Sequence, residues 1–447
     1  MPLKRNFSLM LLLVVWSGFS RYADAQQPYY LSELVVIALQ ENYQLQIVRN
    51  RERMAENLNT PGNAGMLPTV GVSANHNSDV MTTQSTLYTG MERVGTNALS
   101  TRTGALAELN WTVFDGFSMF AHRDRLGLLA AISRSETRFY IEQTVSDLAH
   151  SYHLLVRELL LLETYQSISE VSALRVALER QKREIGSGNT LQFNQALLDF
   201  HTDSLRVLQQ QQRVADQQYQ INKILNRPSE LLPLPVDTAL VARGLQPVEQ
   251  LLEMATRHNP YLEVARLEEM VSEAGSRIAM GGRYPHVDLF SNYQYNHQTS
   301  ETGIIESATN RGAQFGIRIR FNLYDGGRQN TVVNNAAITR ESAALHTTDL
   351  QVTLKNDLEL LRLRHINLTR QLNLLLESRN AAEQTLSIAE EQFRTGAISG
   401  FEFRHTQLNI LRLQQQLIDI QFALVSIETD IDRICGVLTE NIINQSN

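Results

Sequence analysis

The residues that come nearest to chemistry are Asp325-Gly326-Gly327-Arg328, an acid, two glycines and a cation in an order a phosphate-binding turn could use. A shorter copy stands at Asp115-Gly116. Both follow an alternating apolar run and precede a long segment without breakers, so Asp115, Gly116, Asp325, Gly326 and Gly327 read as strand-to-helix turns. The sequence has no Gly-x-Ser-x-Gly elbow, no His-Glu-x-x-His, no Gly-rich phosphate loop and no His/Cys cluster. Cys435 is the one cysteine, which removes a disulfide framework and any multi-Cys metal site. It aligns with Leu225 on an apolar helix face and reads as core. The charge clusters Glu179 to Glu184 and Glu390 to Arg394 read as solvated helix faces. No catalytic residue, cofactor or metal is expected, and the chain reads as a non-enzyme.

The formal net charge of -7 leaves no electrostatic footprint for nucleic acid. At the N-terminus, Lys4 and Arg5, the apolar run from Phe7 to Trp16 and Ala23-Asp24-Ala25 form a secretory signal, residues 1–25. The apolar run is about half of the roughly 20 residues a spanning helix needs, and no Cys follows the cleavage site for lipid anchoring. Beyond Gln26 no apolar stretch is long enough for a helical span. An exported chain of this kind is either soluble or inserted through β-strands, whose sequence signal is weak.

The elements around the two turns are duplicated. Leu34, Ala38, Asn42, Gly65 and Pro68 recur as Leu251, Ala255, Asn259, Gly282 and Pro285, at a constant offset of 217 residues. Asp115, Gly186, Phe193, Leu198, Ile221 and Leu225 recur as Asp325, Gly396, Phe403, Leu408, Ile431 and Cys435, at an offset of 210. The single change falls in Ser/Thr-rich segments, which marks exposed loops at 78–103 and 298–312. The expected order is therefore short helices (26–66), a β pair (67–116), a long helix with its return helix (117–226) and a linker (227–247). Short helices (248–283), a second β pair (284–326), a second long helix with its return (327–436) and a tail (437–447) follow.

Phe315, Ile317, Ile319, Phe321 and Leu323 share one strand face, with Gly316, Arg318, Arg320 and Asn322 on the other. Ala105, Ala107, Leu109, Trp111 and Val113 do the same against Leu106, Glu108, Asn110 and Thr112. Val70-Val72-Ala74 and Val287-Leu289-Ser291-Tyr293-Tyr295 alternate more loosely. Such strands fit either a lipid-facing sheet or a soluble sandwich. Four are too few to close a barrel, so they form a small soluble sheet or several chains pool them.

Between Gly116 and Gly186 there is no Pro, and between Gly327 and Gly396 neither Pro nor Gly, which as helix spans on the order of 100 Å each. Leu354, Leu358, Leu361, His365, Leu368, Leu372, Leu375, Arg379, Ala382, Leu386, Ala389 and Phe393 step by alternating four and three, a coiled-coil seam broken only by His365 and Arg379. Helices near 43–59 and 261–282 can stack end to end with return helices 191–226 and 401–436. Pro61-Gly62 ends the first early.

With these marks the sequence resembles the TolC-type outer-membrane efflux proteins from Leu31 to Gly436: Phe114-Asp115-Gly116 and Tyr324-Asp325-Gly326-Gly327, Pro68 and Pro285, Ile185-Gly186-Ser187 and Thr395-Gly396-Ala397. The resemblance implies a mixed α and transmembrane β fold, a long coiled-coil-like α-helical barrel with four β-strands per protomer contributing to a 12-stranded trimeric β-barrel. It implies a homotrimer in the bacterial outer membrane with its helical part in the periplasm, contacting outer-membrane lipid. The channel-tunnel would be the exit duct of tripartite efflux or type I secretion. Residues 227–247 would join an equatorial belt. The tips Ile185, Gly186, Ser187, Thr395, Gly396 and Ala397 would meet a periplasmic adaptor (membrane fusion) protein working with an inner-membrane pump. The family's acidic entrance rings fall on Glu402 and His405. The histidine departs from that pattern, which suggests a pH-sensitive constriction or a residue that packs at the tip. An exported coiled-coil scaffold and a periplasmic adaptor of the same machinery are the alternative readings.

Overall fold

The computed structural model describes residues 28–228, 233–302 and 305–444. The signal segment 1–25 lies outside the described residues. In chain order the elements are β1 (Pro28–Tyr29), α1 (Leu31–Glu41), α2 (Tyr43–Leu58), β2 (Thr69–Thr86), β3 (Glu92–Phe114), α3 (Ser118–Glu184) and α4 (Thr190–Leu225). After these come β4 (Leu234–Pro235), α5 (Val248–His258), α6 (Pro260–Gly281), β5 (His286–Ser300), β6 (Ser307–Arg320), α7 (Arg328–Thr395), α8 (Gly400–Cys435) and α9 (Leu438–Asn444). The chain divides into two compact units. One comprises residues 1–50, 135–263 and 349–447, the other residues 51–134 and 264–348.

The first unit is helical. Four apolar clusters lie in it among the described residues, and the two largest share matching repeat positions. Leu34 and Ala38 of α1 pack with Leu148 of α3 and Ile221 and Leu225 of α4. Their repeat counterparts Leu251, Ala255, Leu358, Ile431 and Cys435 pack in the same way. The stacking joints are set by the duplicated asparagines. Asn42 donates from its amide to the Ile224 carbonyl (2.8 Å) and accepts from the Leu45 N–H (3.1 Å), and Asn259 does the same with Ile434 and Leu262 (2.8 Å each). One side chain therefore satisfies an orphan carbonyl at one helix end and an orphan N–H at the next helix start. Both return helices close on a left-handed residue, Asn226 (φ 51) and Gly436 (φ 69). At Gly436 an added Cβ would lie 2.3 Å from the His258 carbonyl oxygen.

The second unit holds a four-stranded antiparallel sheet in the order β2-β3-β5-β6. Here the loop expectation needs correction. Strands cover 78–86 and 92–103, and the connection shrinks to Leu87–Met91, closed by Gly90 (φ 80). Likewise β5 runs to Ser300 and β6 starts at Ser307. The Thr- and Ser-rich stretches are polar on both faces but still pair their backbones, and Thr favours the extended conformation.

Two smaller departures lie in the helical unit. The tail contains α9, whose Leu438 and Ile442 join the first apolar cluster. Its first two N–H groups donate to the Glu142 carboxylate (3.1 and 3.3 Å). In the linker, β4 pairs in parallel with β1. The linker's residues 229–232 and the loop's residues 303 and 304 lie outside the described residues.

Candidate functional site

The register of the sheet sorts its side chains into two unlike faces. Val70, Leu109, Ser291 and Phe315 lie across one row, Val72, Ala107, Tyr293 and Ala313 across the next, and Trp111, Leu289 and Ile317 across a third. On the opposite face the rows read Gly71, Glu108, Asn292, Gln314 and then Thr112, Asp288, Arg318. Every residue of β2 is exposed. The apolar side is bare, with Val72 81 % and Phe315 83 % exposed. An apolar band this continuous has no reason to face water. On the polar face Asp288 accepts from Thr112 (2.9 Å) and Arg320 (2.9 Å), and Arg318 lies over the Phe290 ring at 5.0 Å. Strands β2 and β6 each present one unpaired edge within the described protomer.

At the foot of the sheet lie the two Asp-Gly turns. Asp325 accepts from the N–H groups of Gly327 (3.1 Å) and Gln329 (2.9 Å) and so caps α7. Gly326 and Gly327 take φ of 72° and 85°. In the first repeat Gly116 has φ 71, but Gly327 is answered by Phe117 at φ 68. A bulky residue with left-handed backbone is strained. Its ring sits among Phe114 (5.2 Å), Phe120 (6.4 Å) and Tyr284 (6.5 Å), an aromatic cluster at the foot of the apolar band.

The two helix tips, both in the helical unit, turn alike. Gly186 (φ 79) and Gly396 (φ 78) follow their long helices, with Ser187 N–H donating to the Lys182 carbonyl (3.0 Å) and Ala397 N–H to Gln392 (2.7 Å). Ile185 is exposed, and Thr395 donates its hydroxyl to the Glu391 carbonyl (3.0 Å). Asn189 caps α4 and Ser399 caps α8. Glu402 completes a capping box, accepting from the Ser399 N–H (2.8 Å) and hydroxyl (2.9 Å). Those hydrogen bonds hold its carboxyl below the usual range, so it stays ionised. His405 is exposed and does not pack at the tip.

One cluster next to the tips went unread in the sequence. Arg404 is buried and grips Asp203 with both terminal nitrogens (2.6 and 2.8 Å), a bidentate pair. Ser172 donates to Asp203 (2.5 Å), Arg206 bonds it (3.1 Å), and Arg175 pairs with Asp199. Burial discourages charge on Arg404, but the Asp203 hydrogen bonds and the two carboxylates outweigh it and push its pKa up. The clamp ties α3 and α4 of one hairpin to α8 of the other. Phe403 stacks on Phe393 beside it (4.9 Å, 2°). Glu179 also corrects the solvated-face reading: it is buried and paired with Lys182 (3.2 Å). His365, the polar break in the α7 seam, is buried against Glu428 of α8 (2.9 Å). Burial raises the Glu428 carboxyl, opposed by the His365 bond.

Comparison with known proteins now bears on the site. Residues 251–437 match the family described as Outer membrane efflux protein. None of the curated proteins matches the sequence. Among solved structures, the chain is similar to the outer membrane protein VceC of Vibrio cholerae (17% identity, 91% of this chain and 96% of that one, TM-score 0.74). It is similar to the CmeC outer membrane channel of Campylobacter jejuni (13%, 93% and 88%, 0.76) and to the open state of the MtrE outer membrane channel of Neisseria gonorrhoeae (13%, 91% and 88%, 0.71). At these identities the likeness is one of fold. The chain shares the fold of these solved outer membrane proteins.

Proposed function

We propose that this chain is one protomer of a homotrimeric outer-membrane channel-tunnel that serves as the exit duct of a tripartite efflux or type I secretion system. The observation that carries the reading is the four-stranded sheet with a bare apolar face, a polar face and two open edges. An open edge in lipid leaves several backbone groups unsatisfied, and four strands cannot close alone. Three copies supply 12 strands, with the polar face lining water and the apolar face meeting outer-membrane lipid. A soluble coiled-coil scaffold would leave that face in water, and an adaptor needs no such sheet.

The helix tips around Gly186 and Gly396 serve as the periplasmic entrance, docking the adaptor that links the duct to an inner-membrane pump. Glu402 and His405 narrow that entrance. Because Glu402 also caps α8, its charge and its cap are separable. Glu402→Gln keeps a capping side chain and removes the charge, whereas Ser399→Ala removes the cap and keeps the charge. Single-channel recording in planar bilayers is expected to show reduced cation preference for Glu402→Gln and an unchanged preference for Ser399→Ala. The opposite pattern would reduce Glu402 to a cap alone.

A further inference from the structure

We propose that the groove at the foot of β6 binds the phosphate headgroup of an anionic membrane lipid. This rests on the reading of the sheet as membrane-embedded. The groove has a volume of about 760 Å³ and lies wholly within the sheet-bearing unit, between the start of β5, the end of β6 and the first turn of α7. Arg283, His286, Arg320 and Arg328 line it, with Asp325 as the one acid. Asp325 already faces two N–H groups at the start of α7, and Arg320 is paired with Asp288. Arg283 bonds only the neutral Asn330 (3.1 Å), and Arg328 has no partner among the described residues. Two guanidinium groups are thus left without a bonded carboxylate at one mouth, and a guanidinium suits bidentate recognition of phosphate.

The duplication supplies an internal control. At the positions corresponding to Arg283, His286, Arg320 and Arg328 the first repeat carries Met66, Thr69, Asn110 and Ser118. The corresponding strand-to-helix connection there carries no cation at any of the four positions. Its surroundings fit a lipid. Phe321, Leu323 and Tyr324 rim the groove and are exposed, and Phe321 and Leu323 follow in register on the apolar side of β6. That gives acyl chains an apolar wall and the phosphate a basic floor at the depth where the band ends. No acid in the lining is free to receive a choline or ethanolamine cation, so the fit is to a net-anionic headgroup such as phosphatidylglycerol.

The test uses the full chain extracted and delipidated in detergent, then incubated with phosphatidylglycerol or phosphatidylcholine. Retained lipid per protomer is counted by native mass spectrometry. Wild type is expected to retain phosphatidylglycerol preferentially. Removing both cations in Arg283→Ser/Arg328→Ser is expected to lower that retention roughly 30-fold, while Arg283→Lys/Arg328→Lys keeps most of it. Equal retention of the two lipids by wild type, or undiminished retention by the serine variant, overturns the proposal. Displacement of phosphatidylglycerol by inorganic phosphate at comparable concentration overturns the lipid assignment in favour of a free-anion site. Failure of wild type to conduct in planar bilayers would instead reject the channel reading, and is scored separately.

Discussion

Arg404 occupies a position on α8 where its neighbours Phe403 and Gln407 are also buried, and its guanidinium is held by Asp203. Removing one partner of a buried pair strands the other charge, at a cost of about 3–5 kcal/mol, whereas replacing both by apolar residues costs far less. Thermal unfolding of Arg404→Leu and Asp203→Leu is therefore expected to show large losses, with the double variant recovering much of them. Additive losses would mean the pair is not coupled. A second residue gives pH dependence. Burial, helped by nearby His150, pushes the His153 imidazole down to about 4. Its folded pKa lies below the ordinary unfolded value near 6.5, so the neutral form favours the fold. That stability is complete above about 6.5 and declines as pH falls toward 4. His153→Gln is expected to flatten the melting temperature between pH 6.5 and 4, and an unchanged slope would contradict the assignment. Little of this was legible beforehand. Arg404 and Asp203 lie 201 residues apart and meet only through packing, and the spacing of His150 and His153 says nothing about the burial that sets protonation. The tip glycines were legible, because a turn with positive φ writes itself into residue type.

The turns make the same point at the scale of elements. Gly116 and Gly326 occupy equivalent places with nearly equal φ, 71° and 72°, but differ in surroundings. A Cβ at Gly116 would lie 2.3 Å from the Gly281 carbonyl oxygen, whereas none of the described atoms comes within 4 Å of one at Gly326. Gly326→Ala is expected to cost about 1 kcal/mol of backbone strain. Gly116→Ala adds a backbone clash and should cost clearly more, as comparison of the two melting curves would show. Equal effects would contradict the packing at Gly116. Helices and turns were readable from breaker-free length, seam spacing and duplicated Asp-Gly. Strand ends were not, because above the apolar band both faces are polar and the period-two signal vanishes while backbone pairing continues. The seven-residue α9 is too short to show a helical period.

At the scale of the whole molecule, the apolar sheet face and the strand edges are what a single protomer leaves unfinished. Duplication made the architecture legible, since each half repeats one order of helix, strand pair and hairpin. The assembly is the part no single chain can display. The proposed trimer follows from the physics of an open edge in lipid, and it predicts which surfaces must meet: the β2 edge of one copy and the β6 edge of the next. Cys435 is buried, with burial pushing its thiol up to about 12, so introduced thiols report alone. The most direct measurement is disulfide cross-linking in membranes, with one cysteine placed along Val70 to Ala74 of β2 and one along Phe315 to Ile319 of β6, scanned over the register. The account predicts pairs that convert the chain to a covalent trimer on a denaturing gel. Finding only monomer across the whole scan, with the protein recovered in the soluble fraction, would contradict it.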